Sequence, residues 1–143
     1  MPTGAVARVV VAAPGAPERA WVRAIIERSG EYEVVGEAAD GRGAIDTVFQ
    51  HEPEILILDT SMQGSEIIPP VITRCPFTAI VMLGAHDSGP ALRVARRLGA
   101  AAWISLDQSP DRILHTLRLA PGMQLVGVPL SWRSVHAPAR SSR

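Results

Sequence analysis

The feature that most constrains this chain is a fivefold alternation between short apolar runs and stretches with helical periodicity. The apolar runs read RVVVA, YEVVGEAA, EILILD, FTAIVMLGA and AAWISL, and a stretch of helical apolar spacing follows each of them. Apolar strands that alternate with amphipathic helices are typical of a parallel sheet that is covered on both faces. The pattern therefore predicts an α/β domain with a single doubly wound, five-stranded parallel sheet.

Proline and glycine mark where the helices begin and end. Pro17 suits the first turn of the first helix, where Glu18 lies beside the positive helix end, and Gly30 ends that helix. Ser109 followed by Pro110 predicts the start of a last helix, which we expect to run to Leu119. The stretch SEIIPPVITRC has helical spacing but contains two prolines, which predicts a short, kinked or irregular element.

Length and composition exclude several classes of protein. A chain of 143 residues predicts one domain, and a net charge of zero gives no global sign of nucleic-acid or membrane binding. All 14 basic residues are arginine, so lysine chemistry is excluded. One cysteine, Cys75, and four scattered histidines give neither a disulfide framework nor metal-ligand spacing. Without a signal peptide or a bilayer-spanning run, we expect a cytoplasmic protein that binds no membrane.

The strand ends are where chemistry is expected in such a sheet. These ends carry Ala13–Pro14, Asp59, Gly84–Ala85 and Leu106–Asp107. The sequence has no nucleophile–base pair, metal cluster or phosphate-cradling glycine loop, so we predict no catalytic residues and no enzyme. Asp59, a single acid that ends a buried strand, is the candidate functional group.

Taken in order, the motifs RVVVA, VVGEAADG, PEILILD, IVMLGAHD, LGAAAWI and SPDRIL resemble the response regulator receiver domain. They are most similar to receivers that are joined to a C-terminal helix-turn-helix DNA-binding domain. The resemblance implies a flavodoxin-like fold with strand order 2-1-3-4-5 and five helices. It divides the chain into a receiver-like domain over 1–120 and a linker or disordered tail over 121–143. We expect no nucleic-acid binding by this chain itself, although a longer parent protein would be a different case.

The resemblance also implies a phosphorylation site. In the family, an aspartate at the end of the third strand takes a phosphoryl group from a histidine kinase, with a Mg²⁺ ion held by that aspartate, an acidic pair and a backbone carbonyl. A hydroxyl residue after the fourth strand and a lysine after the fifth bind the phosphoryl oxygens. Asp59 matches the phosphoacceptor. The remaining positions of the site fall on Ser61 (carbonyl), Ala13 and Pro14 (acidic pair), Gly84 (hydroxyl) and Leu106 (lysine).

These substitutions predict a degenerate pocket. Mg²⁺ requires hard oxygen ligands in near-octahedral geometry, and phosphoryl transfer depends on cations that neutralise developing charge. We therefore expect the Mg²⁺ site to be lost and no cofactor to bind. Asp87 and Asp107 are one or more positions away from the family's pattern, and we expect both of them, with His86, to be solvated loop residues.

A partner surface is predicted around the last strand. Trp103 falls at the position of the family's switch aromatic, on a face formed by the fourth helix, the fifth strand and the fifth helix. Arg96, Arg97, Asp111 and Arg112 flank it, and a homodimer through this face would pair these charges between subunits. The alternative interpretation is an ordinary solvated face with Trp103 in the core. The identity of a protein partner or histidine kinase is not readable from the sequence.

The sequence is compatible with three hypotheses about function. The favoured hypothesis is an atypical receiver that acts as a protein-interaction module without Mg²⁺-dependent phosphorylation. The second is a conventional receiver that a histidine kinase phosphorylates on Asp59. The third is a pseudo-receiver that binds a small molecule in the vacated pocket at the strand ends.

Overall fold

The computed structural model describes residues 6–86 and 89–124, which form five strands that alternate with five helices. The strands are β1 (Ala7–Ala12), β2 (Tyr32–Ala38), β3 (Ile55–Asp59), β4 (Ala79–Gly84) and β5 (Ala102–Ser105). The helices are α1 (Ala16–Arg28), α2 (Gly41–His51), α3 (Gly64–Arg74), α4 (Gly89–Leu98) and α5 (Pro110–Gln124). The predicted α/β alternation is confirmed.

The strands form a parallel sheet in the order β2-β1-β3-β4-β5, as the family resemblance implies. The β1–β2 register shifts between Val9 and Val10, so that Val35 has no partner on β1. Parallel strands present their carboxyl ends at one edge, where the last residues of β1, β3, β4 and β5 meet. This edge holds the candidate functional residues.

Two hydrophobic cores lie on opposite faces of the sheet, and alternate residues of each central strand point into them. Val9, Ile57 and Val81 belong to the core that α1 and α5 cover. Val10, Leu56 and Ile80 belong to the core that α2, α3 and α4 cover. Because both faces are covered, all five residues of β3 are buried, including the terminal acid. Burial on both faces of the sheet explains the continuous apolar runs in the sequence.

Two helices differ from their predictions. α3 is a continuous helix of 11 residues that contains Pro69 and Pro70, so the expectation of a short element is wrong. Its prolines lie on the more exposed side, while Ile67, Ile68 and Val71 are buried, so the prolines do not disturb the packing of α3 on the sheet.

α5 does not end at Leu119 but continues to Gln124, past the predicted domain boundary. The side chain of Gln124 anchors this last turn, because it accepts a hydrogen bond from Ile80 N (3.0 Å) and donates one to Gly99 O (2.8 Å). The rest of the predicted tail lies outside the described residues. Within 6–86 and 89–124, no helix is long and apolar enough to cross a membrane.

Candidate functional site at the carboxyl edge of the sheet

Asp59 is held at the carboxyl end of β3, and only 9% of its surface is exposed. Its Oδ1 accepts a hydrogen bond from Ser61 N at 2.7 Å, and the Ser61 hydroxyl also hydrogen-bonds to the carboxylate. Burial raises the pKa of Asp59, but the hydrogen bonds from Glu18 and Ser61 outweigh it, so that the pKa lies below its usual value. The buried acid is therefore ionised at neutral pH.

Glu18 contacts Asp59, and reasoning from the sequence missed this contact. The residue lies in the first turn of α1, and its carboxyl group hydrogen-bonds to the Asp59 carboxylate. That hydrogen bond, followed by burial and by the negative charge of Asp59, raises the pKa of Glu18 to about 7. Two carboxyl groups thus share one proton near neutral pH. The signal was available, because an acid in the helical turn after β1 lies at the same edge as Asp59.

The side chain of Arg19, on α1, reaches the loop in which the family carries its acidic pair. Its Nη1 donates to Ala13 O at 2.6 Å and to Pro14 O at 3.2 Å, while its Nε donates to Glu37 at 3.1 Å. Ala13 is fully buried and Pro14 is exposed. The loop therefore offers a guanidinium cation instead of two carboxylates.

These residues are a poor match for the Mg²⁺ ion that the family resemblance implies. Glu18 adds a second carboxyl group, but it is the proton partner of Asp59, and the neighbouring Arg19 brings a positive charge to the same loop. Within the described part of the chain, no three His, Cys, Asp or Glu side chains are grouped so that they could hold a metal ion. Mg²⁺ favours several oxygen ligands in a tight octahedron, which this arrangement does not supply.

The indole ring of Trp103 fills the place next to Gly84. A Cβ atom at Gly84 would lie 3.0 Å from Cε2 of the ring and closer still to Cζ2, so no side chain fits there without movement. Nε1 of Trp103 donates to His86 O at 3.3 Å, which ties the ring to the loop after β4. Trp103 is half-buried and packs on the α3–α4 side of the sheet. The missing hydroxyl residue at Gly84 is therefore replaced by an aromatic ring from the next strand.

The loops after β4 and β5 are linked to each other. Leu106, at the family's lysine position, is 37% exposed, and its backbone N donates to Gly84 O at 2.9 Å. Asp107 accepts a hydrogen bond from the buried Ser105 hydroxyl, and its other oxygen lies 3.5 Å from His86 Nδ1. Asp107 and His86 are both exposed, as predicted, and they contact one another. Asp87 lies outside the described residues.

The predicted partner face is open to solvent at its charged residues. Arg96 and Arg97 are exposed on α4, and Asp111 and Arg112 are exposed at the start of α5. Trp103 is less exposed than these charged residues, and its ring is directed toward Gly84. The structure thus brings Glu18, Asp59 and Ser61 together at the strand end and keeps the four charged residues separate from them on the flank.

Comparisons with known proteins agree with this architecture. No family model matches the chain. The oxygen regulatory protein NreC of Staphylococcus carnosus is 33% identical over 115 residues, which is 78% of this chain and 53% of that protein. The probable transcriptional regulatory protein NarL of Mycobacterium tuberculosis is 30% identical over 127 residues, which is 86% of this chain and 59% of that protein. The chain spans about half the length of the curated relatives it matches.

Among solved structures, the signal receiver domain of the putative response regulator NarL from M. tuberculosis superposes with a TM-score of 0.74 at 28% identity, covering 82% of this chain and 97% of that domain. That receiver domain therefore has the same fold as the described residues. The described part of the chain is a response regulator receiver domain of two-component signalling.

Proposed function

We propose that this receiver works as a regulatory protein-interaction module that does not depend on Mg²⁺-dependent phosphorylation of Asp59. The observation that carries the proposal is the indole of Trp103 against Gly84. A conventional receiver needs a hydroxyl group at this position to hold a phosphoryl oxygen, and here an aromatic ring takes up the room. The absence of lysine from the chain and the guanidinium of Arg19 on the β1–α1 loop point in the same direction.

The proposed module belongs to transcription control. Relatives of the chain bear the names of an oxygen regulatory protein and a transcriptional regulatory protein. By analogy we place this receiver in the cytoplasm, as a non-enzymatic part of a signalling route whose output is gene expression. The family resemblance predicts a symmetric dimer through α4, β5 and α5, which is the alternative use of the face that α4 belongs to.

Mass spectrometry after incubation with acetyl phosphate tests the proposal. We expect no mass increase of one phosphoryl group at Asp59, with or without Mg²⁺, under conditions in which a conventional receiver is labelled. The variant Leu106→Lys serves as the comparison, because it returns an ammonium group to an exposed vacated position and leaves the contact between Gly84 and Trp103 unchanged. Mg²⁺-dependent labelling of the wild-type chain at Asp59 would refute the proposal.

A conventional receiver is the second candidate, and one observation favours it. Asp59 is buried, accepts hydrogen bonds from Ser61 and has a lowered pKa, so the carboxylate is ionised as a phosphoacceptor must be. Under this hypothesis Asp59→Asn abolishes activity in the cell. A fully active Asp59→Asn variant would exclude it and leave the interaction module.

A further inference from the structure

The outer face of α4 is basic and carries no acid. Arg93, Arg96 and Arg97 are the charged residues of this ten-residue helix. Ala95 is buried against the sheet, so the neighbouring positions point outward, and the three arginines are exposed. Val94 flanks the arginines on the helix surface, next to Arg97, with 56% of its surface exposed. These four residues are called the α4 face below.

The arginines of the α4 face differ from Arg19, Arg23 and Arg118, which pair with acids of the same domain. Arg19 and Arg23 both pair with Glu37, and Arg118 forms two hydrogen bonds with Glu31. The arginines of the α4 face form no ion pair with any residue in 6–86 or 89–124. Like charges three and four positions apart on a helix repel each other, so an external anion would stabilise this surface.

The charge of the chain is unevenly distributed, although its sum is zero. Asp87, Asp107 and Asp111 are the only acidic residues after Glu66 in the sequence. The strand order puts β2 at one edge of the sheet and β5, which α4 contacts, at the other. The molecule therefore has an acidic side and a basic side, an arrangement that steers and orients an approaching acidic partner.

We propose that the α4 face is a docking surface for an acidic segment of a partner protein. Aspartate or glutamate side chains of that segment would meet Arg93, Arg96 and Arg97, and one apolar side chain would cover Val94. This inference rests on the proposed function as an interaction module and adds the chemistry of the partner.

Two other occupants fit the surface less well. A symmetric contact between two copies apposes the same patch on both, which brings arginine against arginine and leaves Asp111 as the one acid of the predicted partner face. A nucleic acid has no apolar group on its phosphate backbone for Val94, and the acidic side of the molecule would repel a long polyanion. Protein interfaces, by contrast, combine arginine with buried apolar contacts.

The test titrates the full chain with a short synthetic peptide rich in aspartate and glutamate that contains one central leucine. Backbone amide NMR shifts map the site, and the same titration is run with the triple variant Arg93→Gln, Arg96→Gln, Arg97→Gln. The control variant is Arg28→Gln, Arg42→Gln, which removes two exposed arginines from α1 and α2. Val94→Ser tests the apolar part, and thermal unfolding checks that each variant is folded.

We expect the peptide to shift the amides of α4, and the triple variant to weaken binding about tenfold, since each exposed charge pair contributes a small amount. The control should bind like the wild type, and Val94→Ser should bind more weakly. Peptide shifts outside α4, or a triple variant that binds like the wild type, would overturn the proposal. So would tighter binding of a single-stranded oligonucleotide to α4, or self-association through α4 in sedimentation. None of these results depends on whether acetyl phosphate labels Asp59, so the two proposals fail separately.

Discussion

The proton shared by Glu18 and Asp59 should make the free energy of unfolding fall as the pH rises. One substitution, Glu18→Gln, should remove this dependence. Glu18→Gln keeps a donor, the amide N–H, that can bond to Asp59, but it cannot ionise. The variant therefore fixes the protonated arrangement at every pH. We expect it to be as stable as the wild type in mild acid and more stable above neutral pH.

The sign follows from the pKa of Glu18, which is 4.5 in a free side chain and about 7 in the fold. Because the folded-state pKa is raised, the stabilising contribution of the Glu18 proton is complete below pH 4.5 and is lost as the pH rises through 7. Asp59 does not interfere, because its lowered pKa keeps its own transition below 3.8. The wild type therefore loses stability between pH 4.5 and 7.

The full shift corresponds to about 3 kcal/mol at 1.36 kcal/mol per unit. Glu18 is partly exposed, so solvent screening reduces the effect, and we expect about 1–2 kcal/mol. Urea denaturation at several pH values between 4.5 and about 8 measures the free energy of unfolding for both proteins. Glu33→Gln, an exposed acid on β2, is the matched control and should keep the wild-type slope. An equal slope in Glu18→Gln and wild type would refute the carboxyl–carboxylate contact.

Three further substitutions test the packing around the site. Gly84→Ser should lower the free energy of unfolding by about 1–3 kcal/mol because its Cβ overlaps the ring of Trp103, and full stability in urea would contradict that contact. Gly99→Ala should cost about 1–3 kcal/mol, since φ is +115° and Ile72 is in the way, whereas Gly122→Ala, which meets no atom within 4 Å, should cost nothing; equal losses would be inconsistent with this reasoning. Gln124→Ala should speed hydrogen exchange at the Ile80 amide, and unchanged exchange would show that the side chain does not protect it.

The fold was readable from the sequence because each apolar run had one physical cause. A strand that is covered on both faces needs apolar residues at every position, and the covering helices need them every three or four. Both periods are local, so RVVVA and EILILD identified their strands without knowledge of the partners. The end of α5 could not be predicted from local sequence, because Gln124 holds the turn after Leu119 in place through Ile80 and Gly99, which are distant in the sequence.

The site was only partly readable for the same reason. Asp59 stood out because it ends a buried run. Ser61 was named only through the family resemblance, for its backbone carbonyl and not for the N–H that it donates to Asp59. The Glu18–Asp59 contact joins α1 to β3, and the fit of Trp103 against Gly84 joins β5 to β4. Contacts of this kind depend on how helices and strands pack against each other, which cannot be predicted from the spacing of residues in the sequence. In the sequence, Glu18 was explained by its favourable place at a helix N-terminus, so its position at the same edge of the sheet as Asp59 was not used.

The position of Trp103 connects the vacated pocket with the basic surface. A switch requires an element with two arrangements whose balance the signal changes. Here Gly84 leaves room for the indole, and His86 O accepts its N–H, from which we infer that one arrangement is favoured whatever the state of Asp59. The α4 face would then be presented in one form at all times. An acidic peptide should therefore bind Asp59→Asn and wild-type protein equally, whereas a receiver whose surface answers to Asp59 would distinguish the two.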